Sequence, residues 1–162
     1  MLFGFNADEV FRIAIEIEEN GKEFYEKAER KIDNEEVKEL FRELAREEFI
    51  HKKRFSELRA QLPELAKEGQ VFDPDNEMGK YIKMMADMHV FRSGQDLSKR
   101  LETISSAKDA LKMAIDFEKD SIVFFLLMED NTDEKTGKKL VGQLLKEEQE
   151  HLRKLSTKLG RS

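Results

Sequence analysis

The sequence predicts an all-α protein, a four-helix bundle assembled from two copies of one helical hairpin with a long helical crossover between them. Three observations carry this. Of 162 residues, 40% are charged and only two are Pro and eight Gly, a composition that favours long solvated helices. Apolar residues recur at spacings near 3.5 through four segments, which marks buried helical seams. The chain also repeats itself at an offset of 100 residues. Leu40/Leu140, Leu44/Leu144, Glu47/Glu147, Glu48/Glu148 and His51/His151 coincide, Arg54/Lys154 keeps its charge, and Ala14/Ala114, Ile15/Ile115, Glu18/Glu118 and Phe24/Phe124 match as well.

The first hairpin is expected over residues 7–62. Asn6 and Glu9 read as a capping box, and the first helix runs to about Ile32 with Val10, Ala14, Ile17, Gly21, Phe24 and Ala28 as its seam. Gly21 costs ~1 kcal/mol relative to alanine inside a helix, and room beside Glu18 is a reason for it. Asp33-Asn34 forms a short turn in which Asp33 caps the second helix with Glu36. That helix has the seam Val37, Phe41, Leu44, Glu48, His51, Phe55, Leu58 and Leu62. So short a connection makes the two helices antiparallel neighbours.

The crossover is expected over residues 63–105. Asp73-Pro74 starts a helix that runs from about Asp75 to Phe91, with Met78, Ile82, Met85 and Met88 on one side. Ser93-Gly94 breaks it, and a second short piece covers Asp96–Thr103. Four of the seven methionines fall here, and methionine packs into irregular gaps. His89 has no Glu or His at helical spacing, so it reads as a packed or surface histidine. The second hairpin covers residues 106–160. Ser106 and Asp109 start its first helix, whose seam is Ala110, Ala114, Phe117, Ser121, Phe124 and Met128. Asn131-Thr132-Asp133 is its turn, and Gly160 ends the last helix.

Composition excludes several functions. With no cysteine there are no disulfides, zinc fingers, cysteine-ligated iron centres or thiol catalysis. A net charge of −6 with scattered basic residues argues against nucleic acid and anionic membranes as partners. Met1-Leu2-Phe3-Gly4-Phe5 is too short for a signal peptide, and no apolar run approaches the ~20 residues of a membrane span. A single domain in a soluble cytoplasmic protein is the expectation.

The chemistry lies in Glu48-x-x-His51 and Glu148-x-x-His151. A spacing of three stacks carboxylate and imidazole on one helix face, and both motifs replace seam hydrophobes. One such motif alone reads as a salt-bridged surface pair; two in register do not. A buried unpaired carboxylate costs several kcal/mol, so something must neutralise it. Glu18 and Glu118 add one carboxylate from each remaining helix. Four carboxylates carry −4, and two divalent ions cancel that charge. The expected metal ligands are therefore Glu18, Glu48, His51, Glu118, Glu148 and His151, with one imidazole on each ion and Glu48 and Glu148 bridging. Carboxylate and imidazole suit iron and manganese, and zinc binds as an intruder.

The segment Ala14-Ile15-Glu16-Ile17-Glu18-Glu19-Asn20-Gly21-Lys22-Glu23-Phe24-Tyr25, its echo Ala114-Ile115-Asp116-Phe117-Glu118, and the two Glu-x-x-His motifs resemble the rubrerythrin family of the ferritin-like superfamily over about residues 7–160. This ligand inventory is the one known for ferritin-like carboxylate proteins. The resemblance implies a ferritin-like bundle holding two iron ions, a homodimer, and an oxidoreductase that reduces hydrogen peroxide or reacts with oxygen. Glu18, Glu48, Glu118 and Glu148 would then act in catalysis, and Tyr25 would hydrogen-bond a ligand, supply an electron or simply pack at the core edge. Two departures stand out. The cysteine-ligated rubredoxin-like domain of typical members is absent, so an external donor such as a rubredoxin-like protein is implied. Ser121 stands where typical members carry an extra glutamate. Open alternatives are a ferroxidase or iron-handling protein, a manganese protein that disproportionates peroxide, and a non-catalytic metal-stabilised bundle.

Overall fold

A computed structural model describes residues 7–62, 77–90, 92–132 and 137–161. Among these residues there are six helices and no strand: α1 (Ala7–Glu29), α2 (Glu35–Ala60), α3 (Glu77–Asp87), α4 (Gly94–Glu102), α5 (Ala107–Asn131) and α6 (Lys138–Gly160). α1 packs along α2 and α5 along α6, while α1–α5 and α2–α6 contacts join the two hairpins. This is the expected bundle of two hairpins. α3 lies against α5 and α4 against α1, so the crossover clasps the α1–α5 side.

The seams place the core. Val10, Ala14, Ile17, Phe24 and Ala28 of α1, Val37, Phe41, Leu44 and Phe55 of α2, the α5 series Ala110–Ala114–Phe117–Phe124–Met128, and Val141, Leu144 and Leu155 of α6 are all buried. Leu58 is only partly buried, and so is Leu159.

Several boundaries differ from expectation. α1 ends at Glu29 rather than Ile32, and Ile32, 3% exposed, is pinned into the core by the connection that follows. The α2 cap is Asn34 rather than Asp33; its Oδ1 accepts the Val37 N–H at 3.1 Å. At α5 the Ser106 hydroxyl accepts the Asp109 N–H as expected, but the Asp109 carboxylate answers to Ser105, taking its N–H at 3.1 Å and its hydroxyl at 2.7 Å. The second connection is longer than predicted, because α6 starts only at Lys138. Its cap, Gly137, has φ +100°, and a Cβ there would meet Leu58 Cδ1 at 2.6 Å. Gly160 lies within α6 and Gly137 is the one glycine with positive φ among the described residues. Asn6, Asp73-Pro74 and Asp133 lie outside the described residues.

In the crossover, Ile82 and Ala86 face inward, whereas Met88 is 68% exposed. Met88 was expected on the inner side, but α3 ends at Asp87, and the following turn sends His89 inward instead. α4 starts two residues earlier than expected, because the Ser93 hydroxyl caps it by accepting the Asp96 N–H at 3.1 Å.

Gly21 has a concrete reason. A Cβ there would lie 2.3 Å from Phe117 Cζ, so the room that glycine leaves is filled by a ring from the other hairpin. Tyr25 and His89 hold that ring edge-on, with centroids 6.2 and 5.3 Å away. Gly21→Ala gains up to ~1 kcal/mol of helix propensity but overpacks a site where such insertions cost roughly 1–3 kcal/mol. The expected result is a net loss of about 1 kcal/mol in urea unfolding. A more stable variant would show that Phe117 is free to move aside.

Candidate metal centre

α2 and α6 each bring one Glu-x-x-His face to the centre of the bundle, and α1 and α5 each add one glutamate. Glu18, Glu48, Glu118 and Glu148 are 0% exposed, and His51 and His151 no more than 2%. The six residues form two groups, Glu18–Glu48–His51–Glu148 and Glu48–Glu118–Glu148–His151, each with ligand atoms all within 4.8 Å of one another. Glu48 and Glu148 belong to both groups; Glu18 and His51 belong to one, Glu118 and His151 to the other.

The imidazoles turn Nδ1 inward. His51 Nδ1 lies 2.7 Å from Glu148 Oε1 and 3.2 Å from Glu18 Oε2. His151 Nδ1 lies 3.2 Å from Glu48 Oε1 and 3.4 Å from both Glu118 Oε1 and Glu148 Oε2. The rings stack with centroids 5.5 Å apart and planes 9° from parallel. Their outer nitrogens pair across the hairpins. His51 Nε2 lies 2.9 Å from Glu147 Oε2, and His151 Nε2 lies 2.5 Å from Glu47 Oε2. Outside them a cavity of about 170 Å³, bordered by Ile50, Arg54 and Lys154, opens to the surface.

Electrostatics separate the four carboxyls. Burial, reinforced by the charge of Glu148, pushes Glu18, Glu48 and Glu118 well above the usual carboxylate range. Burial acts on Glu148 too, yet hydrogen bonds from Glu118 and both imidazoles hold it well below that range. Burial opposes charging His51, but the bond to Glu148 and its charge raise the imidazole to about 9, and His151 moves in the same direction. Protons thus supply the positive charge that the cluster needs. Even so, both oxygens of Glu18 and one each of Glu48, Glu118 and Glu148 make no hydrogen bond among the described residues. Buried oxygens are rarely left so. Hard carboxylate oxygens around imidazole nitrogens suit iron or manganese, and five orphaned oxygens converging on two points fit cations there.

Tyr25 is fully buried, and its hydroxyl donates to Glu118 Oε1 at 2.6 Å, across to the other hairpin. Burial raises its pKa well above the ordinary phenol value, and Glu118 adds to the effect. Along α1 Tyr25 lies two turns from Glu18, so the period of that helix gives no sign of this bond across the hairpins. In the sequence Glu47 and Glu147 stand out only as a repeated pair. The signal was available, since both precede the motif glutamate in each copy. A carboxylate on the outer nitrogen fixes the tautomer that presents Nδ1 to a metal. Glu47→Gln with Glu147→Gln should therefore weaken metal binding roughly 10–100-fold, read by competition with a chromophoric chelator. Unchanged affinity would show that the outer pair leaves the imidazoles untouched.

The bundle and its buried carboxylate–histidine cluster define a ferritin-like fold with a candidate metal site. The Rubrerythrin family model matches residues 9–159, and the chain belongs to that family. Its fold is similar to the crystal structure of a Thermotoga maritima protein assigned to the ferritin-like diiron-carboxylate class, with TM-score 0.71 and 26% identity over 98% of this chain and 97% of that one. No curated protein matches the sequence. No helix among the described residues is long and apolar enough to cross a membrane.

Proposed function

We propose that the chain is a di-iron oxidoreductase that reduces hydrogen peroxide with electrons from an external protein donor. The observation that carries this reading is the pair of buried ligand groups sharing Glu48 and Glu148, with carboxylate oxygens left unbonded. Glu18, Glu48 and His51 with Glu148 would hold one ion, and Glu118, Glu148 and His151 with Glu48 the other. When bound, such a pair supplies two electrons together, so that peroxide and two protons become two waters without a free radical.

The protein's part is positioning and exclusion. The shared glutamates fix the separation of the two ligand groups. Tyr25 fixes the Glu118 carboxylate at 2.6 Å, whereas Glu18 meets no phenol and has His51 Nδ1 at 3.2 Å, so the two terminal glutamates are held by different groups. Phe117, Phe24 and Phe41 around Tyr25 keep water from the inner side. With no cysteine in the chain, electrons arrive from a separate carrier, for which a rubredoxin-like protein is suited.

One observation favours a second reading, ferroxidase or oxidase chemistry. Ser121 offers no fifth carboxylate to the cluster, and its hydroxyl lies 3.0 Å from His89 Nε2. The test is anaerobic loading with iron(II), then stopped-flow mixing with hydrogen peroxide or with oxygen. Fast oxidation by peroxide and slow oxidation by oxygen is the expected result. Faster oxidation by oxygen would move the assignment to the ferroxidase reading. Absence of reaction with either would leave a manganese or structural centre.

A further inference from the structure

Of the three histidines of the chain, His89 is the one that the metal centre does not use. It is 3% exposed and sits in the turn after α3, which is tied down on both sides. The Val90 N–H donates to Asp120 of α5 at 3.0 Å, and Arg92 pairs with Glu16 of α1 at 2.5 Å. These ties seat the ring between the crossover and the bundle. One face meets Phe117 edge-on at 5.3 Å. Nε2 lies 3.0 Å from the hydroxyl of Ser121. Ser121 is fully buried and follows Glu118 by three residues, so it stands one turn along the face that presents that carboxylate. On its outer side His89 helps line an open cavity of about 450 Å³ between α3 and α4.

The imidazoles close the α2–α6 side of the cluster, where Glu47 and Glu147 take their outer nitrogens. The opposite side faces α1 and α5, where the residues one turn beyond the terminal glutamates are both small. The space at Gly21 is filled by Phe117. The Ser121 position is instead polar and connected to His89, and through it to the cavity.

We propose that His89, acting through the Ser121 hydroxyl, relays protons from the α3–α4 cavity to the α1–α5 side of the carboxylate cluster. This rests on the peroxide-reductase reading above. A reduced metal pair held by these residues would supply two electrons to each peroxide, and the relay the two protons, so that the O–O bond breaks and two waters leave. In each relay step His89 accepts a proton from cavity water on one ring nitrogen and releases one from the other to Ser121. The Ser121 hydroxyl passes its own proton on, so neither residue changes charge overall. A neutral imidazole suits this, with one N–H and one lone pair. Burial, with Arg92 adding to it, holds His89 down at about 4, while Glu148 pulls weakly the other way. Asp120 from α5 and Asp87, Asp96, Lys99 and Arg100 around the cavity complete the charged surroundings.

The test compares His89→Ala, His89→Gln and Ser121→Ala in the full chain. After iron(II) loading, oxidation by peroxide should slow roughly ten- to 100-fold in each, with a larger solvent deuterium effect, while iron stoichiometry equals that of the unaltered chain. Imidazole added to His89→Ala should restore the rate, because the cavity admits it. In the zinc-loaded protein, which does no redox chemistry, nitrogen-15 spectra should show one neutral His89 tautomer whose Nε2 signal shifts in Ser121→Ala and on metal loading. Unchanged rates, or slowing that imidazole does not relieve in His89→Ala and that His89→Gln does not share, would overturn the relay, as would a His89 signal indifferent to Ser121 and to metal. If the unaltered protein fails to react with peroxide, the functional reading falls by itself, and the spectra still decide whether His89 senses the cluster.

Discussion

Glu148→Ala abolishes paired metal binding: the chain should take up no more than one iron(II), with affinity reduced beyond the roughly 100-fold that loss of an outer hydrogen-bond partner costs. Both ligand groups depend on Glu148. It belongs to each of them, it meets both Nδ1 atoms at 2.7 and 3.4 Å, and it is the one carboxyl of the four held below its ordinary range. Removing it leaves two imidazoles facing three carboxyls that burial pushes toward protonation. Glu57→Ala, an exposed change two residues beyond Phe55, should leave binding untouched. Isothermal titration under anaerobic conditions checks both. Two ions bound to Glu148→Ala would sink the ligand assignment.

Metal loading should stabilise the fold strongly and change its response to pH. Each site filled at 1,000 times its dissociation constant adds ~4 kcal/mol. Two sites should then raise the thermal midpoint by roughly 15–30 °C for a chain of this size. The metal-free protein should behave differently. A raised pKa means that the folded state holds its proton longer than the unfolded chain does, so stability is present at low pH and lost as pH rises. His51, raised to about 9, therefore contributes fully below pH ~6.5, and that contribution is lost as pH climbs through 9. Glu18, Glu48 and Glu118 act in the same sense. Glu148 acts in the opposite sense, its contribution lost as pH falls through its lowered value. Metal-free midpoints should thus decline between pH 6.5 and 9. Metal-loaded midpoints should hold there and fall in acid, where ligand protonation expels the ions. Scanning calorimetry of both forms across that range checks this, and parallel profiles would contradict it.

The sequence made the bundle legible because burial on a helix has a period. Val141, Leu144, Leu155 and Leu159 define a seam by themselves, and Glu148 and His151 stand out by breaking its chemistry. The same reasoning found Glu18 and Glu118, which are visible mainly through the repeat. Contacts with no period stayed out of reach. Nothing in Gly21 announces that its missing Cβ is replaced by Phe117, a residue nearly a hundred positions away. The bond from Tyr25 to Glu118 crosses hairpins, whereas periodicity reports only neighbours on one helix. Caps slipped by a residue where two acceptors sit together, as at Asp33-Asn34. The period that groups Met88 with Ile82 runs past the point where α3 stops, so Met88 does not share the buried side of Ile82.

The central claim is a pair of metals held between Glu48 and Glu148, one beside each imidazole. Anomalous scattering at the iron edge from crystals loaded anaerobically tests it most directly. Two peaks per chain are expected, one near His51 Nδ1 with Glu18 and one near His151 Nδ1 with Glu118, with Glu48 and Glu148 reaching both. A single peak, or iron in the outer cavity against Glu47 and Glu147, would contradict it.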